Sequence, residues 1–150
     1  MDSGCLCGSG EMFDVCCGIY LSGHTPAPTA EALMRSRYTA YAVQNEAYLL
    51  MTWHPSTRPA SLDLAADTTT KWIGLDVKRF EITGPDSALV EFVARYKVGG
   101  RAQRMHETSK FVPFAGQALS MVIGFAAMQY VGRQHIKECA RVAEMVRALK

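Results

Sequence analysis

The first 34 residues of this chain of 150 residues contain no lysine or arginine, whereas Asp2, Glu11, Asp14 and Glu31 are acidic. The net charge of +2 therefore arises from residues further along the chain. A net charge this close to zero is typical neither of a nucleic-acid-binding protein nor of a disordered chain. Apolar residues make up 49% of the sequence, which is enough for the core of one domain of ordinary size.

Long apolar runs are also lacking. A membrane-spanning helix needs about 20 apolar residues, and the longest apolar stretch, residues 118–131, is broken by Ser120, Gly124 and Gln129. Residues 1–10 have neither the basic start nor the apolar middle of a signal peptide. We therefore expect a cytoplasmic protein without membrane contact.

The five cysteines are unevenly distributed, because four of them fall between Cys5 and Cys17. In a reducing compartment such clustering indicates metal binding or redox chemistry and not a disulfide framework. Cys139 stands alone, and we interpret it as a small buried apolar residue.

The spacing of the four cysteines favours metal over redox chemistry. Two close pairs, separated by eight residues, can place four sulfur atoms at the corners of a tetrahedron, the geometry that zinc prefers. The alternative is a reactive dithiol at Cys16-Cys17, but a Cys-x-x-Cys pair in a thioredoxin-like pattern is absent from the sequence. We predict one structural Zn²⁺, closed to substrate because its four ligands are all protein thiolates: Cys5, Cys7, Cys16 and Cys17.

The pattern that follows predicts helices and then strands. Residues 22–28 form a linker rich in proline, and Thr29 is a good N-cap for a helix over 30–43. A second helix is predicted over 46–51, with His54-Pro55 after it as a terminator. Strand character runs over 72–82, with a bulge expected at Lys78-Arg79.

A second strand, over 89–98, leads into Gly99-Gly100, a pair suited to a two-residue hairpin turn. This turn fixes a register that pairs Val98 with Arg101, Tyr96 with Gln103, Ala94 with Met105, Phe92 with Glu107 and Val90 with Ser109. The apolar face carrying Phe92 and Tyr96 should point inward, and Gln103, Glu107 and Ser109 should share it. We expect an α+β fold, in which helices pack on a curved antiparallel sheet around a cavity.

The cysteine segment resembles the SEC-C motif, in the run Cys5-Leu6-Cys7-Gly8-Ser9-Gly10 followed by Phe13 and Cys16-Cys17-Gly18. The motif's usual proline is Leu6 here, and its usual lysines are replaced by Glu11, Met12, Asp14 and Val15. A metal-bound knuckle of this kind would carry a negative surface, which argues against phosphate contact.

A second resemblance, to the YchJ-like family, rests on residues 29–41, 48–59 and 105–111. It implies a SEC-C knuckle joined to a domain similar to nuclear transport factor 2, a cone of helices over a curved sheet, without implying a particular reaction. The domain organisation expected is a knuckle at 1–21, a linker at 22–28, a cone domain at 29–113 and a divergent segment at 114–150.

The segment after Pro113 departs from that family. The resemblance implies a last strand rich in tryptophan and tyrosine, whereas residues 114–150 contain no tryptophan and only Tyr130. They end in a weakly amphipathic stretch over 136–149. We interpret this segment as a divergent end or a shifted reading frame, and a sheet without its closing strand would expose an edge.

The interior of the cone holds the candidates for a pocket. These are Tyr38, Tyr41, Trp53, His54, Arg58, Trp72, Tyr96, Gln103 and Glu107. A buried Glu107 could act as a general base with a raised pKa. Alternatively, Arg37 or Arg58 pairs with Glu107 to hold helix against sheet, while His106 should face the other way.

Two functions follow as hypotheses. The first is a zinc-containing adaptor that binds a protein partner without catalysis. The second is a small-molecule-binding or hydrolytic cone centred on Glu107. Binding of nucleic acid is the weakest hypothesis, because the knuckle lacks basic residues.

Overall fold

The computed structural model describes residues 4–114 and 117–122. A 3-10 turn at Phe13–Val15 precedes helix α1 (Gly18–Leu21), and helices α2 (Ala30–Ala42) and α3 (Glu46–Met51) follow. A second 3-10 turn, Leu64–Ala66, leads to strands β1 (Thr70–Gly84), β2 (Ser87–Val98), β3 (Arg101–Phe114) and β4 (Gln117–Val122). The α+β class is therefore confirmed.

Side-chain caps fix the starts of the two longer helices. Thr29 Oγ1 accepts a hydrogen bond of 3.1 Å from the backbone N–H of Ala32, and Asn45 Oδ1 accepts one of 3.1 Å from Tyr48. Such caps satisfy backbone donors that the first turn of a helix leaves unpaired. Both predicted helices are present, and α2 ends at Ala42, one residue before the predicted end.

The four strands form one antiparallel sheet in the order β1-β2-β3-β4. The hairpin register is confirmed at every predicted pair, including Phe92 with Glu107 and Val90 with Ser109. The register of β1 against β2 shifts between Val77 and Arg79, where the bulge was expected. Alternation along β2 buries Val90, Phe92, Ala94 and Tyr96.

The sheet extends beyond Pro113, the predicted end of the cone domain. Strand β3 continues through Phe114, and β4 pairs with it, Lys110 opposite Val122. Strand β4 therefore covers part of the β3 edge, which a sheet without a closing strand would leave exposed. Cys139 and the amphipathic stretch over 136–149 lie outside the described residues.

One core joins the N-terminal knuckle to the domain. Leu33, Met34 and Tyr38 of α2 are buried against the inner face of the sheet, and Cys5, Cys7 and Cys17 belong to the same buried cluster. Within the described part of the chain, no helix is long and apolar enough to span a membrane.

Candidate functional site

The four N-terminal cysteines lie together where the knuckle packs against the domain. Their Sγ atoms are all within 4.8 Å of one another, and all four thiols are free. Cys7 Sγ is 3.6 Å from Cys16 Sγ, which is 3.9 Å from Cys17 Sγ. Cys5, Cys7 and Cys17 are buried, and Cys16 is partly exposed. This arrangement could hold one metal ion.

Tight turns bring the two cysteine pairs together. The N–H of Cys5 donates to the carbonyl of Glu11, and that of Cys16 donates to the carbonyl of Phe13. Gly8 has a φ of +74°, which other residues adopt only at a cost. The chain therefore reverses direction between Cys7 and Cys16. This reversal brings the four sulfur atoms together, as the spacing predicted.

The protonation of the thiols is strongly interdependent. A hydrogen bond from Cys17 lowers the pKa of Cys7 to about 4, and the same bond raises the pKa of Cys17. Burial raises the pKa of Cys16. Four thiolates this close repel one another, so a cation is needed before all four can lose their protons. The donor set therefore fits a thiophilic metal ion.

Helix α2 and strand β1 hold the knuckle in place. Arg35 Nη1 donates a hydrogen bond of 2.9 Å to the carbonyl of Cys7, and Cys5 Sγ lies 3.9 Å from Thr39 Oγ1. A Cβ atom on Gly8 would come within 3.0 Å of the carbonyl of Leu75. Sequence reasoning did not find these contacts, because their partners are far apart in the chain.

A second group of polar side chains lies inside the domain, on the inner face of β3. Glu107 is 7% exposed and Ser109 is fully buried. Among the described residues, neither carboxylate oxygen of Glu107 nor the hydroxyl of Ser109 has a hydrogen-bond partner. Burial raises the pKa of Glu107 to about 7, because the charged form loses its hydration.

Arg37, on α2, is the largest of the fully buried side chains and is 1% exposed. Its Nη1 donates to the carbonyl of Leu49 and to Thr52 Oγ1, at 2.8 and 2.7 Å. The guanidinium carbon lies 5.0 Å from the ring centroid of Trp53. Burial lowers the pKa of Arg37.

The predicted ion pair with Glu107 does not form. Neither Arg37 nor Arg58 makes a salt bridge to Glu107 among the described residues. The sequence pattern suggested no other role for Arg37. Helical spacing could have placed it in the interior, because it falls on the buried stripe between Leu33 and Tyr41.

The aromatic candidates come together. Trp72 lies at the centre, with ring centroids 5.6 Å from Tyr38, 5.6 Å from Tyr41 and 5.3 Å from Tyr96. Tyr41 is also within electrostatic reach of both Arg37 and Glu107, and burial is the main cause of its raised pKa. These rings therefore form one wall next to the buried polar side chains.

Three of the predicted pocket residues lie elsewhere. Gln103 pairs with Tyr96 as predicted but is exposed near the hairpin end, where burial along this face of β3 ends. Arg58 is exposed, and its Nη1 lies 3.4 Å from the carbonyl of Leu50. His54 Nδ1 is 2.6 Å from Ser56 Oγ in the loop after α3.

His106 faces the opposite side from Glu107, as expected, and its Nε2 is 2.7 Å from Glu91 Oε1.

A family described as "YchJ, middle NTF2-like domain" matches residues 29–119. The chain belongs to this YchJ-like family. A UPF0225 protein of Chromobacterium violaceum is 61% identical over 112 residues, which cover 72% of this chain and 82% of that protein. Another from Cupriavidus pinatubonensis is 57% identical over 108 residues, covering 72% of this chain and 74% of that protein.

Two solved structures of SEC-C motif containing proteins are similar to this YchJ-like chain. The solution structure from Rhodopseudomonas palustris has a TM-score of 0.72 at 35% identity, covering 80% of this chain and 95% of that one. The crystal structure from Psychrobacter arcticus has a TM-score of 0.67 at 27% identity, covering 83% of this chain and 82% of that one. The predicted combination of a SEC-C motif with an NTF2-like domain is therefore confirmed.

Proposed function

We propose that this YchJ-like protein binds a small molecule inside its NTF2-like domain, beside Glu107 and Ser109. In this proposal the cysteine knuckle holds a structural Zn²⁺ and takes no part in chemistry. The observation that carries the proposal is the buried carboxylate of Glu107, whose two oxygens have no hydrogen-bond partner in the part of the chain that the structure describes.

Buried polar groups without protein partners are energetically unfavourable. Native structures pair the large majority of them, and an unpaired neutral group costs about 1–3 kcal/mol. Glu107 and Ser109 are two residues apart on one strand, so their side chains project from the same face of the sheet. A polar ligand that satisfied both would recover this free energy on binding.

Binding is proposed in preference to hydrolysis. Glu107, with its pKa raised to about 7, could exchange a proton near neutral pH. However, His54 and His106 are directed to Ser56 and Glu91. A second acid or base next to Glu107 is therefore not supplied by either histidine, and recognition of a ligand needs none.

Zinc is proposed on the distances between the sulfurs. A Zn–S bond of about 2.3 Å in a tetrahedron separates neighbouring sulfurs by about 3.8 Å. The separations of 3.6 and 3.9 Å at Cys16 are close to this value. Because thiolates would fill all four positions, the site would be structural.

A thermal-shift screen of zinc-loaded protein against a panel of metabolites tests the proposal. Compounds that stabilise the wild type should lose most of that effect in the double variant Glu107→Gln, Ser109→Ala. Thr108→Ala is the matched control, because Thr108 is exposed on the same strand. Equal stabilisation of all three proteins, or no stabilising compound, would contradict interior binding.

A protein-binding adaptor is the second candidate, favoured by the knuckle surface. Leu6, Met12, Val15 and Ile19 are exposed large apolar residues, and Glu11 and Asp14 beside them are exposed acids. This acidic and apolar surface is complementary to a basic partner segment that also carries apolar side chains. Pull-down with Val15→Ser and Met12→Ser tests it: loss of a basic partner supports the adaptor, and unchanged capture contradicts it.

A further inference from the structure

The guanidinium of Arg37 has five N–H donors, of which the two on Nη1 are paired, whereas the one on Nε and the two on Nη2 have no hydrogen-bond partner among the described residues. Nη1 carries two hydrogens, and it donates to two acceptors, the Leu49 carbonyl and Thr52 Oγ1. Nε and Nη2 are buried, and no residue within 4–114 or 117–122 forms a hydrogen bond with either. These two atoms belong to one edge of the planar group, from which two N–H bonds point in parallel.

That edge has the geometry that recognises a planar oxyanion. Carboxylates bind arginine through two parallel N–H···O bonds, which add both strength and directionality. The hydrogen bonds at Nη1 and the Trp53 ring, 5.0 Å from the guanidinium carbon, fix the orientation of the group. Arg37 is therefore held in place before a ligand arrives.

The charge of Arg37 gives a second, independent reason to expect an anionic ligand. No carboxylate of the described residues lies within ion-pair distance of it. A buried cation without a counterion is strongly unfavourable, so proteins normally pair such a group. The Tyr41 hydroxyl lies beside the guanidinium at the range of a weak hydrogen bond, but it makes none of normal geometry to Nε or Nη2, and a neutral phenol does not balance the charge.

We infer that the interior ligand carries a carboxylate, bound side-on by Nε and Nη2 of Arg37, with the rest of the molecule directed toward Glu107 and Ser109. This inference rests on the proposed function. Tyr41 is the structural link, since it lies within electrostatic reach of both Arg37 and Glu107. The aromatic wall around Trp72 would suit a ligand with an apolar body.

A carboxylate fits better than a phosphate. One guanidinium edge offers two donors, which match the two oxygens of a carboxylate, whereas a phosphate dianion carries more charge and more acceptors. Three other arginines are engaged elsewhere: Arg35 and Arg58 donate to the carbonyls of Cys7 and Leu50, and Arg95 pairs with Asp76. A single buried cation therefore favours a monoanion.

The test is isothermal titration of zinc-loaded protein with two matched pairs of probes, benzoate against benzamide and propionate against propionamide. Each pair differs mainly in the charge of the planar group. Carboxylates should bind the wild type about tenfold or more tightly than their amides, as expected for a charged bidentate pair. Arg37→Lys keeps the charge but loses the fork, so carboxylate affinity should fall about tenfold.

Arg79→Lys is the control variant, because Arg79 is exposed on β1, and it should leave the affinities unchanged. If Arg37→Lys does not fold, the Nε–H resonance of Arg37 in the wild type gives the answer without a variant, since benzoate and not benzamide should shift it. Amides binding as well as carboxylates, or carboxylates binding Arg37→Lys at full strength, would overturn the inference.

The two proposals fail in different ways. If metabolites bind in a Glu107-dependent manner but none of the four probes does so through Arg37, the carboxylate inference is wrong and interior binding stands. If no metabolite and no probe binds, interior binding itself is wrong.

Discussion

Arg35 Nη1 donates a hydrogen bond of 2.9 Å to the carbonyl oxygen of Cys7, a metal-site residue 28 positions earlier in the chain. The same guanidinium forms an ion pair with Glu31 one turn back on α2, at 2.9 Å. The knuckle is therefore attached to the helix that also carries Arg37 and Tyr41. The cysteine knuckle and the buried polar side chains therefore lie on two sides of α2.

Loss of this attachment should weaken the fold. Arg35→Ala removes a charged donor and leaves a partly buried carbonyl unpaired, so the free energy of unfolding should fall by about 1–2 kcal/mol. Urea denaturation of zinc-loaded protein measures it. Arg79→Ala, an exposed position, should change stability by less than about 0.5 kcal/mol. An equal loss in both variants would show that the contact with Cys7 contributes little.

Gly8 and Gly10 offer a matched pair for the docking of the knuckle. Both have positive φ, +74° and +86°, so alanine is strained at either. Only at Gly8 would the new Cβ meet a neighbour, the Leu75 carbonyl at 3.0 Å, whereas nothing lies within 4 Å at Gly10. Gly8→Ala should therefore destabilise by about 1 kcal/mol more than Gly10→Ala in urea denaturation. Equal effects would mean that the knuckle does not pack on β1 as described.

Removal of the metal should destabilise the whole domain and not only the knuckle. Cys5, Cys7 and Cys17 share one buried cluster with Leu33 and other core residues, so unfolding of the knuckle opens the main core. Zinc at a thousandfold excess over its Kd would contribute about 4 kcal/mol. Calorimetry with and without chelator should show one transition that moves to lower temperature.

The metal content of the purified protein and of its cysteine variants tests which metal is bound and which residues hold it. Reduced protein should contain one zinc per chain, Cys7→Ser should lose it, and Cys139→Ser should retain it. A domain transition that is unchanged by chelator, or zinc that persists in Cys7→Ser, would contradict the structural role.

Glu107 should make stability depend on pH. Its pKa rises from 4.5 to about 7 on folding, so the native state binds more protons than the unfolded chain between these values. Stability is therefore greatest below pH 4.5 for this group and falls as pH rises to about 7. The loss should be about 2 kcal/mol once partial screening by solvent is allowed for.

Comparison with Glu107→Gln isolates this effect from the thiols. Urea denaturation between pH 5 and pH 8 (a range of about three units that spans the titration) should show a smaller decline in the variant. Glu81→Gln, at a partly exposed position on β1, should decline like the wild type. Parallel pH profiles for all three proteins would mean that Glu107 titrates normally.

The sequence was most informative where local geometry decides the structure. Gly99-Gly100 sets the turn, and a period of two then places Glu107 and Ser109 on the inner face. The same rule placed Gln103 there as well, but Gln103 is exposed, because burial along this face of β3 ends before it. That limit is a property of tertiary packing and is not encoded in strand alternation.

The hydrogen bonds of Arg37 and Arg35 cannot be predicted from local sequence rules. Helical spacing puts Arg37 on the buried stripe, yet its hydrogen bonds to Leu49 and Thr52 depend on how α3 crosses α2. The contact of Arg35 with Cys7 depends on where the knuckle docks. Charged residues on an apolar stripe nonetheless mark positions worth testing as sites.

The most direct test of interior binding is chemical-shift mapping by NMR, with the tightest compound of the metabolite panel added to zinc-loaded protein. The account predicts that the largest shifts fall on Glu107, Ser109, Arg37 and Tyr41, with small shifts at Cys5, Cys7, Cys16 and Cys17. Shifts concentrated on the cysteine knuckle, with the interior residues unchanged, would contradict it.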